Sequence, residues 1–203
     1  MTATINTATP DYIVNGTLTD GEAWVPLSTT ILGSSTSSIG FTSTTGANDW
    51  SQYQDLMLVG YLRSDEASAS AYLRCQINGS GLVTNGYDSQ GAWSTGATMT
   101  TWENTYTNQN ICGYITAGSA TANQFSAVTI KFHDINSGKN KIGFAKCAVG
   151  TGDANGYMSV WAFTAFQQAP LTSFYLMGYP AGSDTMATGC RVDLFGILPR
   201  MVS

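Results

Sequence analysis

Apolar residues alternate with a period of two along most of this chain, and no stretch repeats them at helical spacing over three turns. The period predicts strands. In GCRVDLFGILP, residues 189–199, Cys190, Val192 and Leu194 share one face, while Arg191, Asp193 and Phe195 share the other. Such a strand is covered on its first side by a core. Its second side needs cover of another kind, because it carries two charges in a chain where only 10% of residues are charged.

Other segments follow the same rule. In YQDLMLVGYLR, residues 53–63, Leu56, Leu58 and Leu62 oppose Tyr53, Met57, Val59 and Tyr61, which predicts a strand buried on both sides. YLRCQI, residues 72–77, places Leu73, Cys75 and Ile77 inward and Tyr72, Arg74 and Gln76 outward. FSAVTIKFH and IGFAKCA flank DINSGKNK as a hairpin, with Val128, Ile130 and Phe132 beside Ile142 and Phe144 on one apolar face. GYMSVWAFTAF sets Tyr157, Trp161 and Phe163 against Met158, Val160, Ala162 and Phe166. The Gly/Asn-rich NGSGLVTNGYDSQG, with two Asn-Gly pairs, reads as a loop, and the polar stretch 94–110 as a loop or helical turn.

About nine short strands separated by glycine-rich turns predict an all-β, single-domain β-sandwich of the jelly-roll kind. Residues 1–22 hold too few apolar side chains for a core of their own and read as an N-terminal arm, leaving 23–203 as the sandwich domain. No basic-then-apolar leader and no 18-residue apolar run is readable.

Eight basic against thirteen acidic residues, with no cationic cluster beyond KNK at 139–141, argue against nucleic acid and anionic membranes as partners. A neutral, Ser/Thr/Asn/Gly-rich surface lacks the charge repulsion that keeps copies apart, which favours regular assembly. Cys75, Cys112, Cys147 and Cys190 each lie in an apolar run without a CxxC pair and read as buried free thiols.

Chemistry-bearing constellations are sparse. The single histidine, His133, stands beside Asp134 without a nucleophile motif and reads as a strand-end residue, so the chain reads as non-enzymatic. The cysteines and histidine lack zinc spacing, and no cofactor or metal is expected. Asp20, Glu22, Asp49, Asp65, Glu66 and Asp184 fit turn capping, with a subunit-bridging calcium as the alternative. Trp93, Trp102 and Tyr106, with Tyr114, read first as packing and second as a glycan contact. Because charge is scarce, Arg63, Arg74, Arg191 and Asp193, with Phe195, are the candidate structural or interface residues, Arg191 and Asp193 being placed on a covered face where they pair.

The segments PLSTTILGSSTSSIGFT, YQDLMLVGYLRSDEA, LRCQINGS with its later NGY, and LTSFYLMGYPAGSDTMATGCRVDLFGI, spread over residues 26–197, resemble a family of small virion proteins of tailed bacteriophages, notably those of cyanobacteria and other aquatic hosts. Arg63, Arg191, Asp193, Phe195, Gly196 and Ile197 fit that family's positional pattern, whereas NGSGLVTNGY departs from it between Asn78 and Tyr87. The resemblance implies a jelly-roll virion component at the virion surface, assembled in the bacterial host cytoplasm. Because no coiled-coil shaft or long repetitive stalk is readable, the favoured place is capsid decoration, as a cement protein that contacts the major capsid protein or other virion proteins and is a homo-oligomer, with a trimer as the hypothesis from the usual geometry of such assemblies; a tail-fibre, collar or host-glycan-binding component is the alternative.

Overall fold

The computed structural model describes residues 13–14, 17–18, 24–79, 86–95, 97–107, 110–152, 156–179 and 184–198. Within the expected arm, β1 (Ile13–Val14) and β2 (Thr17–Leu18) pair only as a two-stranded ladder of their own. The body follows with β3 (Trp24–Ile31), β4 (Ile39–Thr42), β5 (Asp55–Leu62), β6 (Ser70–Ile77), β7 (Tyr87–Thr95), β8 (Thr98–Thr107) and β9 (Ile111–Thr116). It ends with β10 (Ser126–His133), β11 (Lys141–Val149), β12 (Tyr157–Ala165), β13 (Ser173–Tyr179) and β14 (Arg191–Ile197). Helical backbone among the described residues is confined to two three-residue turns, Gly46–Asn48 and Trp50–Gln52.

These strands make an all-β antiparallel sandwich. An eight-stranded sheet runs β3-β14-β5-β10-β11-β12-β7-β8, and a four-stranded sheet runs β4-β13-β6-β9. Pro26 sits in β3, an edge strand, where its missing N–H costs no ladder bond. The core between the sheets is built from Leu56, Leu58 and Leu62 of β5, Val128, Ile130 and Phe132 of β10, Leu73 of β6 and Val192 and Leu194 of β14. Phe174 of β13 closes it, its ring 5.1 Å from those of Phe41 and Phe132 and 5.7 Å from that of Trp50. All four cysteines are buried free thiols, and loss of solvent raises each thiol, Cys147 to about 11.

The parities expected for 53–63, 156–166 and 189–199 hold, but β5 is fully buried on its leucine side only, Tyr61 on the other side being 57% exposed, and the parity of β11 is reversed. Phe132 pairs with Gly143 and Ile130 with Ala145, so Lys141, Gly143, Ala145 and Cys147 face the core while Ile142 and Phe144 face solvent. Two facts explain the reversal. The Lys141 ammonium is buried yet donates to the carbonyls of Ser137 and Lys139 at 2.7 Å and of Gln168 at 3.4 Å, which satisfies a lysine on the inward parity. Above Gly143 there is no room for a side chain, because a Cβ there would meet the Phe163 ring at 2.0 Å. Large rings on β12 thus take the space that β11 leaves.

Two more expectations are corrected. Within the polar stretch 94–110, residues 98–107 are neither loop nor helix. Its threonines are β-branched, and they form the edge strand β8, hairpin-paired to β7, which itself begins inside the segment read as a loop. Within that segment, Asn78 and Gly79 do adopt positive φ, +49° and +150°, as an Asn-Gly turn requires. Residues 80–85 lie outside the described residues. Arg74, expected outward, is 2% exposed. The β7–β8 hairpin curls past the edge of the small sheet, so that Trp102 stacks on Tyr72 at 5.9 Å and the outward side of β6 is covered as well.

Candidate functional site

The reversed parity of β11 has a consequence for the surface. The ladder registers align the outward residues of the large sheet into rows that cross the strands. One row runs Arg191, Tyr61, Ala127, Ala148, Met158, Ser94, Met99. The next runs Asp193, Val59, Thr129, Lys146, Val160, Ala92, Thr101, and the third runs Phe195, Met57, Lys131, Phe144, Ala162, Gln90, Glu103. Met158 is 62% exposed, Met99 61% and Tyr61 57%, with Ile142, Phe144 and Val160 also bare. Contiguous apolar side chains of this size on one side of a sheet mark a surface that meets something.

The face has relief. Ala127 and Ala148 are small, and between the flanking Tyr61 and Met158 they leave a depression of about 310 Å³ floored by Val59, Thr129 and Val160. It is also segregated by charge. The β10–β11 ribbon carries Lys131 and Lys146, and the β7–β8 ribbon carries Asp88 and Glu103. At one end Asp55 is a buried carboxylate: the Lys131 ammonium lies 2.9 Å from it, His133 3.7 Å, and the Asp134 N–H donates to it at 2.9 Å. His133 therefore packs at a strand end, as its neighbours in sequence suggest.

Arg191, Asp193 and Phe195 all lie on this face, on β14. Arg191 donates twice to Asp193, from Nε at 2.9 Å and from Nη2 at 3.1 Å, and Thr29 of β3 donates to the same carboxylate at 2.7 Å. They pair with each other, Arg191 being 52% exposed and Asp193 22%, so within one chain the guanidinium is open to solvent while the carboxylate is mostly covered. Phe195 packs on Trp24 at 6.0 Å. Burial pushes the Asp193 carboxyl up, but the hydrogen bonds from Arg191 and Thr29 and the guanidinium charge outweigh it and hold the group below its ordinary value.

A carboxyl whose folded value is depressed stabilises fully above its unfolded value of about 3.9 and loses that contribution as pH falls through the folded value. Asp193→Asn is thus expected to flatten the fall of the urea midpoint below about pH 4, while shifting the midpoint at pH 7 by less than about 0.5 M. Unfolding curves at a series of pH values check this. An unchanged acid limb would remove the linkage.

The other residues singled out in the sequence are dispersed. Arg63 lies away from the outer face and donates to four backbone carbonyls: Thr121 at 2.9 Å, Gln124 at 3.0 Å, Ala120 at 3.0 Å and Gly118 at 3.2 Å. Arg74 is buried on β6, where its charge lowers the otherwise raised Tyr87 and Cys112. Trp93 and Trp102 are half-buried in a ring cluster: Trp93 is parallel to Trp161 at 6.1 Å and 5.1 Å from Tyr114, and Trp102 meets Trp161 edge-on at 5.6 Å. Their faces are used for packing against protein. The Tyr106 side chain lies outside the described residues.

The assembled face was missed in the sequence because its members come from seven strands. A local signal did exist, in that Gly143 and Ala145 alternate with Ile142, Phe144 and Lys146 in a segment too short of large side chains to fill a core alone. Among the described residues no three His, Cys, Asp or Glu side chains converge, and no helix is long and apolar enough to cross a membrane. Compared with known proteins, the chain matches no protein family, no curated protein and no solved structure.

Proposed function

We propose that this chain is a non-enzymatic structural protein of a bacteriophage virion, a jelly-roll module that decorates the capsid and cements contacts between shell subunits. The outer face of the large sheet carries the reading: it offers bare methionine, tyrosine and phenylalanine side chains on a stiff ladder, which suits adhesion rather than turnover. The strand order supports it. With the β7–β8 and β11–β12 hairpins set aside, the other eight body strands, numbered in chain order, lie as 1-8-3-6 in the large sheet and 2-7-4-5 in the small one. That interleaving fits the double Greek key of a jelly roll, an architecture used in viral shells, with the two hairpins widening one sheet.

Imaging of intact virions that encode this chain, with copy counting, tests the proposal. Density for the chain repeated over the whole shell is the expected result. A single ring of about six or twelve copies at one vertex or on the tail, or no copies in the particle, would overturn capsid decoration.

A further inference from the structure

A sheet edge offers unpaired N–H and C=O groups to any extended chain, and folded proteins usually blunt it. Among the described strands, three of the four outer ones are blunted or closed. β3 carries Pro26, with a register irregularity beside it. β4 is four residues long, and β9 is bridged through Thr116 to Arg63 and Ser64. β8 differs. It is ten residues long, with no proline, lysine or arginine and with Glu103 as its one charge, and the irregularity in its ladder to β7 lies beyond Asn104.

We infer that β8 pairs antiparallel, edge to edge, with β8 of a second copy about a two-fold axis at Thr101, which joins the two large sheets into one. The hairpin dictates the register. Thr95 and Thr98 close it across two residues, so their backbone groups bond each other, and those of Thr100 and Trp102 likewise face β7. Met99, Thr101 and Glu103 alternate with these and turn their N–H and C=O groups to the open edge. An axis at Thr101 sets that residue opposite its own counterpart and Met99 opposite Glu103 of the second copy. Each of the three then gives and takes one bond, about six across the pair. An axis at Glu103 would set two carboxylates opposite each other, and one at Met99 would run the ladder off the hairpin end.

The edge is also accessible. Thr98 and Thr100 share the parity of Trp102, yet both are exposed, so the end of the hairpin stands clear of the small sheet. Trp102 is half-buried against Tyr72 and holds the base of β8 to the body, which presents the edge as a fixed strand. Threonine suits such a ladder, because β-branched side chains pack well across it. The pairing leaves Tyr61, Met158 and Val160 bare, so the outer face stays open to another virion protein. One strand per copy makes a small interface, and a dissociation constant on the order of 10 μM is expected. The two-fold closes at two copies, unlike the trimer expected from the sequence.

Sedimentation and light scattering of the purified full chain, in a dilution series reaching about 200 μM, are expected to show a monomer passing to a dimer. Thr101→Pro removes an N–H that β7 does not use, and is expected to raise the dissociation constant at least about tenfold with an unchanged circular dichroism spectrum. Met99→Glu is expected to weaken the pair and Met99→Lys to tighten it, because Glu103 of the second copy lies opposite. The four native thiols are buried, so an added one reports alone. Thr101→Cys is expected to give a covalent dimer under mild oxidation, its Cα atoms lying about 5.5 Å apart across the axis, whereas Met158→Cys, on the outer face, is not. A monomer at every concentration, a trimer, the same response to Met99→Glu and Met99→Lys, or equal cross-linking at positions 101 and 158 would overturn the pairing. The virion count decides the other proposal separately: a monomeric chain found over the shell sinks the dimer alone, and a dimer absent from particles sinks capsid decoration alone.

Discussion

Arg63→Ala is expected to lower the free energy of unfolding by about 3 kcal/mol, read as a lower urea midpoint with an unchanged slope. The guanidinium of Arg63 donates to the carbonyls of Gly118, Ala120, Thr121 and Gln124. All four lie in the segment that carries the chain from β9 in the small sheet to β10 in the large one. Charge-assisted bonds to carbonyls are worth more than neutral ones, and removing the donor leaves four acceptors to find water together. The backbone of Arg63 is tied in as well, its N–H to the Cys190 thiol at 3.2 Å and its carbonyl to the Ala187 N–H at 2.9 Å. Arg63→Lys is expected to restore less than half of the loss, because an ammonium on a flexible stem lacks the planar fork that reaches four acceptors at once. A loss under about 0.5 kcal/mol for the alanine variant would show that the segment is held by its other bonds.

Gly143→Ala is expected to cost about as much for the opposite reason, a methyl group too many. The added Cβ would lie 2.0 Å from the Phe163 ring, and β11 cannot back away because it is paired on both sides, to β10 and to β12. Overpacking of a well-filled core costs about 1–3 kcal/mol, and a contact with ring carbons this close places the variant at the upper end. The double change Gly143→Ala with Phe163→Leu is expected to recover at least about 1 kcal/mol relative to the sum of the single changes, because the two side chains compete for one volume. Thermal and urea unfolding of the four proteins measure the coupling. Additive losses would mean that the methyl group finds room elsewhere.

These two residues also show how far the sequence could be read. Where polar and apolar side chains contrast sharply, as in β14, parity tells which residues are buried and sets Arg191 and Asp193 side by side, whereas β5, apolar on both parities, reads as buried on both sides although Tyr61 is bare. In β11 the contrast fails, because glycine and alanine face the core and isoleucine and phenylalanine face out. Only the pairing with β12, whose Trp161 and Phe163 supply the missing volume, resolves it. Residues 98–107 are polar, and among the described strands β8 is the outermost of its sheet, so polarity there reads as irregular backbone although the segment is a strand. Arg74 lies on the expected outward parity of β6 yet is 2% exposed, and cover on that side is a fact of tertiary structure that no local pattern carries. The outer face is of the same kind: each strand contributes two or three side chains, and their union exists only once the strand order is known.

The position of β14 between β3 and β5 has a further consequence during synthesis. Both neighbours leave the ribosome early, and the strand that joins them follows roughly 130 residues after β5, or about ten seconds at common elongation rates. Until then β3 has nothing to pair with in its sheet and β5 keeps one ladder edge open, while the consecutive β10, β11 and β12 can close on one another locally. The consecutive strands of the middle can therefore pair before β14 has been made, and β3 joins the large sheet only once β14 has emerged.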